Sequence, residues 1–329
     1  MADVLRAGVV GLGGYSGAIA GASKGVDELE LALCFTRTES KRDEFETKFG
    51  ARACASFEEL VGSDEIDAVI LTTPNYVHAE QVEAAAAAGK HVFCEKPIAN
   101  TIADANRIIA ACEEAGRVLA VGHQERRTGV FRQMKEMIDG AEFGRALMAE
   151  THHAGRLKWP AENWRWKKDL CPGPMVHLGV HKLDVLLYLF GPAKRVTALG
   201  RRTLKKEIET NDVEVATIEF ESGTMANCTS GYIMQTASLN VYLEKATLWY
   251  PGWQNHIDMK DEVSWDRSKI DCPKVNEIGE ELRDFARCVF NGGRPEVSGE
   301  EGRAALALAV AAEKSAAEGR AVEIAEVMA

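Results

Sequence analysis

Four features are missing from the sequence, and each absence excludes a class of protein. No run of about 20 apolar residues occurs, which excludes a membrane-spanning helix. Residues 1–6 lead directly into an apolar strand, without the basic and apolar segments of a signal peptide, so we expect no export signal. The eight cysteines form no C-x-x-C pair, which argues against a zinc finger or a dithiol redox motif. We therefore expect a soluble cytoplasmic protein with reduced thiols.

The fourth missing feature is an excess of positive charge. The chain has 39 Lys and Arg against 50 Asp and Glu, a formal net charge of −11. Nucleic acids and anionic membrane surfaces are bound through Lys and Arg, so neither is an expected partner. With 329 residues, 46% hydrophobic and 27% charged, the composition is that of a folded protein of about two domains. A small-molecule substrate, held in a local pocket, remains the expected partner.

Short apolar runs alternate with helical patterns over the first 120 residues. The runs at 7–10, 29–35, 68–72, 91–94 and 118–121 predict buried strands, and the stretches between them predict helices that end at glycines. Strands that alternate with helices of 10 to 15 residues are typical of a doubly wound parallel sheet. We predict an α/β protein whose residues 1–123 form a dinucleotide-binding Rossmann domain.

The pattern changes after residue 123. Residues 131–138 and 177–190 are predicted to be helical, and 193–250 alternates in the manner of a largely antiparallel sheet. Two closing helices are predicted near 276–290 and 300–317, and we expect them to pack back on the first domain. Residues 124–329 are therefore predicted to form a second α/β domain, with an open and mostly antiparallel sheet, for substrate binding and oligomerisation.

A glycine-rich turn joins the first predicted strand to the first predicted helix. Gly11 suits the tight turn, Gly13 lets the backbone approach a diphosphate, and Ser16 takes the third glycine position. Gly14 and Tyr15 begin the helix, whose free N–H groups can hold the anion. The alternative is a glycine turn with no ligand, as occurs in many strand–helix units. The strand–turn–helix context favours dinucleotide binding.

The end of the second strand bears on the choice of cofactor. In an NAD site a carboxylate at this position accepts a hydrogen bond from the ribose 2′-hydroxyl. This chain instead has Thr36 and Arg37, followed by Lys41 and Arg42. A guanidinium can bind a 2′-phosphate in bidentate fashion. The alternative is a solvated basic face at the start of a helix. We predict NADP as the cofactor, with NAD as the alternative.

Four further motifs point to one family. They are Thr72–His78 (TTPNYVH), Glu95–Pro97 (EKP), Gly122–Gln124 (GHQ) and Pro172–Asp184 (PGPMVHLGVHKLD). Together with the glycine turn they resemble the Gfo/Idh/MocA oxidoreductases, the glucose–fructose oxidoreductase and inositol dehydrogenase family, over essentially the whole chain.

The resemblance implies an NAD- or NADP-binding Rossmann domain followed by a substrate domain whose sheet mediates oligomer contacts. We expect a homo-oligomer, dimer or tetramer, formed through the C-terminal sheet. The predicted cofactor contacts beyond the glycine turn and the basic segment are Thr73, Pro74, Asn75, His78, Glu95, Lys96 and Gln124.

The resemblance also implies catalytic roles. Lys96 matches the lysine of the E-K-P motif, which is expected near both the nicotinamide and the reacting hydroxyl. His181 matches the histidine that contacts the reacting carbinol. The family commonly reads Asp-x-Gly-x-His where this chain has His177 as the first residue, so an imidazole replaces a carboxylate. We expect Lys96 to stabilise an alkoxide and His181 to act as base, with Asp184 orienting its ring; Lys96 is the alternative base.

The remaining candidates concern the substrate and a metal. Trp164 and Arg165, with His177, His181 and Lys96, are predicted to bind the substrate, although a docked aromatic loop explains the first two equally well. His177 and His181 have the spacing of a two-histidine metal site, but no carboxylate completes an H-E-x-x-H motif, and we predict no metal.

The hypothesis that accounts for these motifs is an oxidoreductase that transfers a hydride between NADP and a secondary alcohol or ketone. A cyclic polyol, a sugar or a dihydrodiol is the expected substrate. Two alternatives remain: an idle NADP-binding sensor that acts through a protein partner, and a lyase or hydrolase that uses transient oxidation with retained cofactor. The sequence leaves open the substrate, the direction of the reaction and the oligomer size.

Overall fold

The computed structural model describes residues 4–262 and 267–328. The chain divides into two compact units, each assembled from two segments. The first comprises Met1–Gln124 and Asn276–Arg303, and the second comprises Glu125–Val275 and Ala304–Ala329.

The first unit is built on a parallel sheet. Its strands are β1 (Leu5–Val10), β2 (Leu29–Phe35), β3 (Arg52–Ala53), β4 (Ala68–Leu71), β5 (His91–Glu95) and β6 (Leu119–Gly122). They lie in the order β3-β2-β1-β4-β5-β6, and every neighbouring pair is parallel. The strand order changes direction beside β1, and the carboxyl ends on either side of such a point form the crevice in which doubly wound folds bind ligands. The predicted doubly wound parallel sheet is confirmed.

Helices cover this sheet. They are α1 (Gly14–Ser23), α2 (Glu39–Phe49), α3 (Phe57–Val61), α4 (His78–Ala87), α5 (Ile102–Glu114) and α8 (Glu277–Asn291). The predicted stop of α2 at Gly50 is confirmed, because Gly50 caps the helix in the left-handed conformation at φ 81°. The late helix α8 packs against α1 and adds Phe285 to the core, where its ring meets that of Phe93 at 5.9 Å.

The second unit contains a larger sheet, in the order β14-β13-β12-β11-β7-β10-β9-β8-β15. Only β7 and β10 run parallel among the neighbouring strands that the structure describes, so the predicted mostly antiparallel sheet is confirmed. The strands are β7 (Ala146–Ala154), β8 (Ala193–Arg201), β9 (Val213–Phe220), β10 (Met225–Gly231), β11 (Thr236–Leu243), β12 (Ala246–Tyr250), β13 (His256–Asp261), β14 (Ser268–Asp271) and β15 (Val322–Glu323).

The remaining helices are α6 (Gly129–Asp139), α7 (Val180–Phe190), α9 (Gly299–Glu318) and α10 (Ala325–Met328). The single helix predicted over 177–190 begins differently, because Met175–Gly179 forms a π-helical turn that leads into α7. This turn packs closely on β10, where a Cβ on Gly179 would lie 3.1 Å from Ser230 Cβ. The Ser230 hydroxyl donates to the carbonyl oxygen of Pro174 at 2.8 Å. A wide turn is therefore held by tertiary contacts that periodicity cannot reveal.

All eight cysteines are buried and unpaired with one another. No helix within residues 4–262 and 267–328 combines the length and the apolar character needed to cross a bilayer.

Candidate functional site

The glycine turn after β1 has the tight geometry that the sequence predicts. Gly11 adopts φ 95°, and its N–H donates to the carbonyl oxygen of Phe35 at 2.9 Å. A Cβ at this position would lie 2.8 Å from the backbone nitrogen of Thr73. Any side chain at residue 11 would therefore collide with the loop after β4, in addition to the strain of a positive φ.

The N-terminus of α1 is open. A Cβ on Gly13 or Gly14 would meet no atom within 4 Å, no side chain caps the helix, and its first turn carries no acidic residue. Ser16 donates its hydroxyl to the carbonyl oxygen of Gly13 at 2.7 Å, and the Tyr15 side chain packs against the hydrophobic core. A cleft of about 330 Å³ lies beside this terminus, and its charged lining residues are Lys41, Lys48 and Glu44. Free N–H groups, open space and nearby cations fit a diphosphate.

The segment after β2 is basic. Arg42 donates to the carbonyl oxygen of Thr36 at 2.9 Å and so closes the loop, whereas Arg37 is exposed. The first acidic residue of α2 is Glu39, so the strand end itself carries no carboxylate. The structure brings Lys41 to the glycine turn and places Arg37 on the neighbouring loop.

His78 is buried and joins two loops. Its Nε2 lies 3.0 Å from the carbonyl oxygen of Thr73, after β4, and its Nδ1 lies 3.2 Å from that of Ile98, after β5. Cys94 Sγ is 3.3 Å from Nδ1. Burial lowers the pKa of His78, so the ring is neutral, with one N–H to donate. We place that proton on Nε2, which leaves Nδ1 to accept from the Cys94 thiol. In this form His78 links the loop after β4, through Thr73, to strand β5, through Cys94.

The loop after β5 places Lys96 at the same sheet edge as the glycine turn. Lys96 and Pro97 are joined by a cis peptide bond, and the Lys96 N–H donates to Glu95 Oε2 at 3.3 Å. Burial raises the pKa of Glu95 to about 8, against the opposing effect of the Lys96 charge. A Cβ on Gly122, in the adjacent strand β6, would lie 2.7 Å from Glu95 Oε1. The Glu95 carboxyl group is therefore packed tightly between Gly122 and the backbone of Lys96.

Two amide side chains complete this edge. Asn75 is buried in the turn that follows Pro74, and its amide donates to Asn100 Oδ1. Gln124, after β6, has a buried Oε1 that accepts no hydrogen bond from any residue the structure describes. An orphaned acceptor at the carboxyl edge of the sheet fits a ligand with N–H donors.

The second unit holds a cluster of histidines. His177, in the π-helical turn, packs against Trp159 at 5.5 Å and Tyr232 at 5.8 Å between ring centroids. His181, in the first turn of α7, stacks on His153 of β7 at 4.9 Å. The two histidines at spacing i, i+4 thus pack against different neighbours.

An acidic residue stands behind the stacked histidines. Glu125 Oε1 lies 3.3 Å from His153 Nδ1, and Glu125 Oε2 lies 2.5 Å from the buried Nζ of Lys182. Sequence reasoning missed this role of Glu125. Glu125 precedes Lys182 by 57 residues, and no local pattern links the two.

Asp184 belongs to a second buried ion pair. Arg126 donates to it twice, at 2.9 and 2.5 Å, and both side chains are almost completely buried. The orientation of the His181 ring by Asp184 stays a prediction. The established contact ties the turn at 124–127 to helix α7, which carries His181 and Lys182.

Trp164 and Arg165 lie in a helical turn over Trp164–Trp166. Trp166 is completely buried with Tyr232 and Ile208, and Trp159 and Leu157 pack against this group. The aromatic segment is therefore a docked loop whose wall reaches His177 through Trp159.

A buried pair of carboxyl groups, which sequence reasoning missed, supports the π-helical turn. The Met175 N–H donates to Glu214 Oε2 at 3.3 Å, and Asn211 donates to Glu214 Oε1 at 2.7 Å. Glu313 forms a hydrogen bond with Glu214. The Glu313 carboxyl group packs against Gly173, where a Cβ would lie 2.2 Å from Glu313 Oε1. Burial raises the pKa of both groups, and the charge of Glu214 raises that of Glu313 further. A proton shared by the two carboxyl groups is therefore favoured over two ionised carboxylates.

Replacing Glu313 by glutamine is expected to flatten the pH dependence of stability. The folded protein keeps a proton that the unfolded chain releases above the usual pKa of 4.5, so this pair stabilises most at acid pH. Its contribution declines as the pH rises toward the raised pKa of Glu313. Thermal unfolding of wild type and Glu313→Gln between pH 5 and pH 8 measures this, with Glu318→Gln on the same helix as control. An equally steep decline in Glu313→Gln would contradict the shared proton.

Comparison with known proteins agrees with this geometry. Residues 5–123 match the family "Oxidoreductase family, NAD-binding Rossmann fold", and residues 131–249 match the "GFO/IDH/MocA C-terminal domain". A 1,5-anhydro-D-fructose reductase from Ensifer adhaerens is 30% identical over 83% of this chain and 84% of its own length. A myo-inositol 2-dehydrogenase from Thermotoga maritima is 28% identical over 98% of this chain and 100% of its own.

A solved structure extends the comparison to the whole fold. A crystal structure from Desulfitobacterium hafniense, of a protein assigned as an NADPH-dependent oxidoreductase, is 33% identical and covers 99% of both chains, with a TM-score of 0.95. The glycine turn, the E-K-P loop and the two matched domains thus lead to one conclusion: the chain belongs to the Gfo/Idh/MocA family of NAD(P)-dependent sugar and polyol oxidoreductases.

Proposed function

We propose that the protein is an NADP-dependent dehydrogenase or reductase that acts on a secondary alcohol or ketone of a cyclic polyol, a sugar or a dihydrodiol. The observation that carries the proposal is the open N-terminus of α1, where Gly13 and Gly14 leave space for a diphosphate beside Lys41. When bound, the cofactor supplies the carbon that accepts or donates the hydride. Residues 1–123 are assigned to cofactor binding and 124–329 to substrate binding and oligomerisation.

Lys96 is proposed to stabilise the negative charge on the reacting oxygen. A hydroxyl that loses hydride from its carbon must also lose its proton, and a nearby ammonium lowers the energy of the alkoxide. Its backbone N–H is fixed by Glu95, whose raised pKa keeps a proton close to this loop at neutral pH. A neutral Glu95 leaves the charge of Lys96 available for the substrate.

His181 is proposed as the base, and its neighbours supply what the missing aspartate would have supplied. Glu125 pairs with the buried Lys182 and lies 3.3 Å from His153 Nδ1. The His153 ring stacks on that of His181 at 4.9 Å. We propose that Glu125 takes over the orienting part of the missing aspartate through His153, while His181 accepts the proton of the hydroxyl.

The proposed homo-oligomer, a dimer or tetramer, is supported by exposed apolar side chains on neighbouring strands of the second sheet. Leu199 of β8 is 64% exposed, and Val215, its partner in the β9 register, is 46% exposed. Met225 of β10 is also exposed, and the register places it on the same face. Side chains of this kind on an open sheet are typical of a surface that a second copy covers.

A panel of cyclic polyols, sugars and dihydrodiols, assayed with NADP and NAD in both directions, tests the proposal. We expect a change in absorbance at 340 nm with at least one substrate and a higher kcat/KM with NADP.

Fluorescence titration should show tighter binding of NADPH than of NADH, and Arg37→Ala should weaken NADPH binding by about tenfold while leaving NADH binding nearly unchanged. Tighter binding of NADH would contradict the cofactor assignment, and tight cofactor binding with no substrate would favour a sensor.

A further inference from the structure

The Arg165 guanidinium packs against two indole rings. Its guanidinium carbon lies 4.5 Å from the ring centroid of Trp159 and 4.3 Å from that of Trp164. Asn163 Oδ1 accepts from the Arg165 N–H at 3.1 Å and fixes the helical turn from which the side chain projects. Two cation–π contacts and a fixed backbone hold the guanidinium in one orientation before any ligand binds.

The charge of Arg165 is not balanced within the chain. Across residues 4–262 and 267–328, no carboxylate forms an ion pair with Arg165, and its buried Nε has no hydrogen-bond acceptor. Burial lowers the pKa of this guanidinium. The nearby Cys171 and Tyr232 are neutral at pH 7, because burial raises the pKa of each. Arg165 is half-buried, and its Nε is cut off from water without an acceptor, whereas buried donors are normally paired.

The contrast with Arg126 shows what is missing. Arg126 is buried more deeply than the half-buried Arg165, and Asp184 satisfies it with two hydrogen bonds. Two indole rings contact the Arg165 guanidinium, and its terminal N–H groups, which are not among the buried unpaired atoms, are the part that can meet an anion. A planar carboxylate can lie in the plane of the guanidinium and accept two parallel hydrogen bonds.

The position of Arg165 relates it to the proposed chemistry. Trp159, one of its two covering rings, also packs against His177 at 5.5 Å. The same wall of the second unit therefore carries an unbalanced cation and the histidine turn that leads to His181. A group bound at Arg165 would lie on the side of the unit where the proposed base is located.

We propose that Arg165 binds a carboxylate of the substrate, so that the substrate is a sugar acid or polyol acid rather than a neutral sugar. This inference rests on the proposed oxidoreductase function. It makes Arg165 a specificity-determining residue, and it assigns Trp159 and Trp164 the task of fixing the plane in which the carboxylate is recognised.

Matched substrate pairs test the inference. A panel of uronic and aldonic acids is assayed with wild type, each acid beside its uncharged methyl ester, together with the corresponding sugar 6-phosphates. For the best pair, kcat/KM should favour the acid by at least about tenfold. Equal values for acid and ester would overturn the proposal, and a preference for the phosphates over both would overturn the choice of carboxylate.

Two variants locate the effect. Arg165→Met should reduce the ratio of acid to ester to about one, whereas Lys158→Met, which removes an exposed charge from the same loop, should keep the wild-type ratio. A ratio that survives in Arg165→Met, or falls equally in both variants, would refute the role of Arg165.

A readout without turnover separates this inference from the proposed function. Tryptophan fluorescence is titrated with D-glucuronate and with its methyl ester, because two indoles contact the guanidinium. A saturable fluorescence change with the acid alone, lost in Arg165→Met, supports the carboxylate subsite. The subsite is then supported even if no substrate changes the absorbance at 340 nm, because the absence of turnover would reject only the oxidoreductase proposal. Equal responses to acid and ester, or no response, together with turnover of neutral sugars, would reject the subsite and leave the oxidoreductase proposal in place.

Discussion

Replacing Lys96 by alanine is expected to lower kcat by about 10³-fold or more, while the dissociation constant of NADPH changes by less than about fivefold. The reason is that the proposed role of Lys96 concerns charge that develops on the reacting oxygen during hydride transfer. A positive group that acts mainly in the transition state affects kcat more than ground-state binding. Steady-state absorbance measurements at 340 nm and fluorescence titration of NADPH give the two quantities.

Two further lysine variants distinguish the possible roles of Lys96. Lys96→Arg keeps a positive charge that cannot serve as a base, so it should retain part of the activity if Lys96 stabilises an alkoxide and none if Lys96 is itself the base. Lys24→Ala removes an exposed lysine at the end of α1 and should leave kcat unchanged. Near-normal turnover in Lys96→Ala would refute the catalytic role, and a large loss of NADPH affinity with unchanged kcat would reassign Lys96 to cofactor binding.

The fold of the first unit follows from local signals. Buried apolar runs such as Ala68–Leu71 predict parallel strands, and Gly50, Gly89 and Gly116 mark helix ends because each adopts a positive φ. The role of Gly11 can also be predicted from the sequence, because a tight turn between strand and helix requires a glycine. These features depend on residues that are close in sequence, so a single chain displays them.

The buried carboxyl pair and the ion pairs of the second unit could not be predicted in the same way. Glu214 and Glu313 are 99 residues apart, and only the packing of α9 on the sheet brings their carboxyl groups together. The approach of Glu125 to Lys182 and His153 is likewise set by tertiary structure. Charged residues in a sequence are read as solvated faces unless a motif says otherwise. The histidine positions were therefore predictable, and the carboxylate that stands behind them was not.

Replacing Arg126 by alanine is expected to destabilise the second unit by about 3–5 kcal/mol. Asp184 is completely buried, and the substitution removes the guanidinium that donates two hydrogen bonds to its carboxylate. The cost arises because the carboxylate must stay charged in an apolar surrounding or take up a proton. Arg126 also lies over the Tyr188 ring at 5.4 Å, so some packing is lost as well.

Thermal and urea unfolding of three variants separate buried charge from ion pairing in general. Arg107→Ala breaks exposed pairs with Glu83 and Asp104 and should cost less than about 1 kcal/mol, because water already screens those charges. The double variant Arg126→Met with Asp184→Leu removes both buried charges and should recover most of the stability lost in Arg126→Ala. If Arg126→Ala and Arg107→Ala lose the same stability, the Arg126–Asp184 pair does not secure the turn at 124–127 to α7. A loss that the double variant recovers means that the unpaired Asp184 carboxylate, left buried on the helix that carries His181, is what destabilises Arg126→Ala.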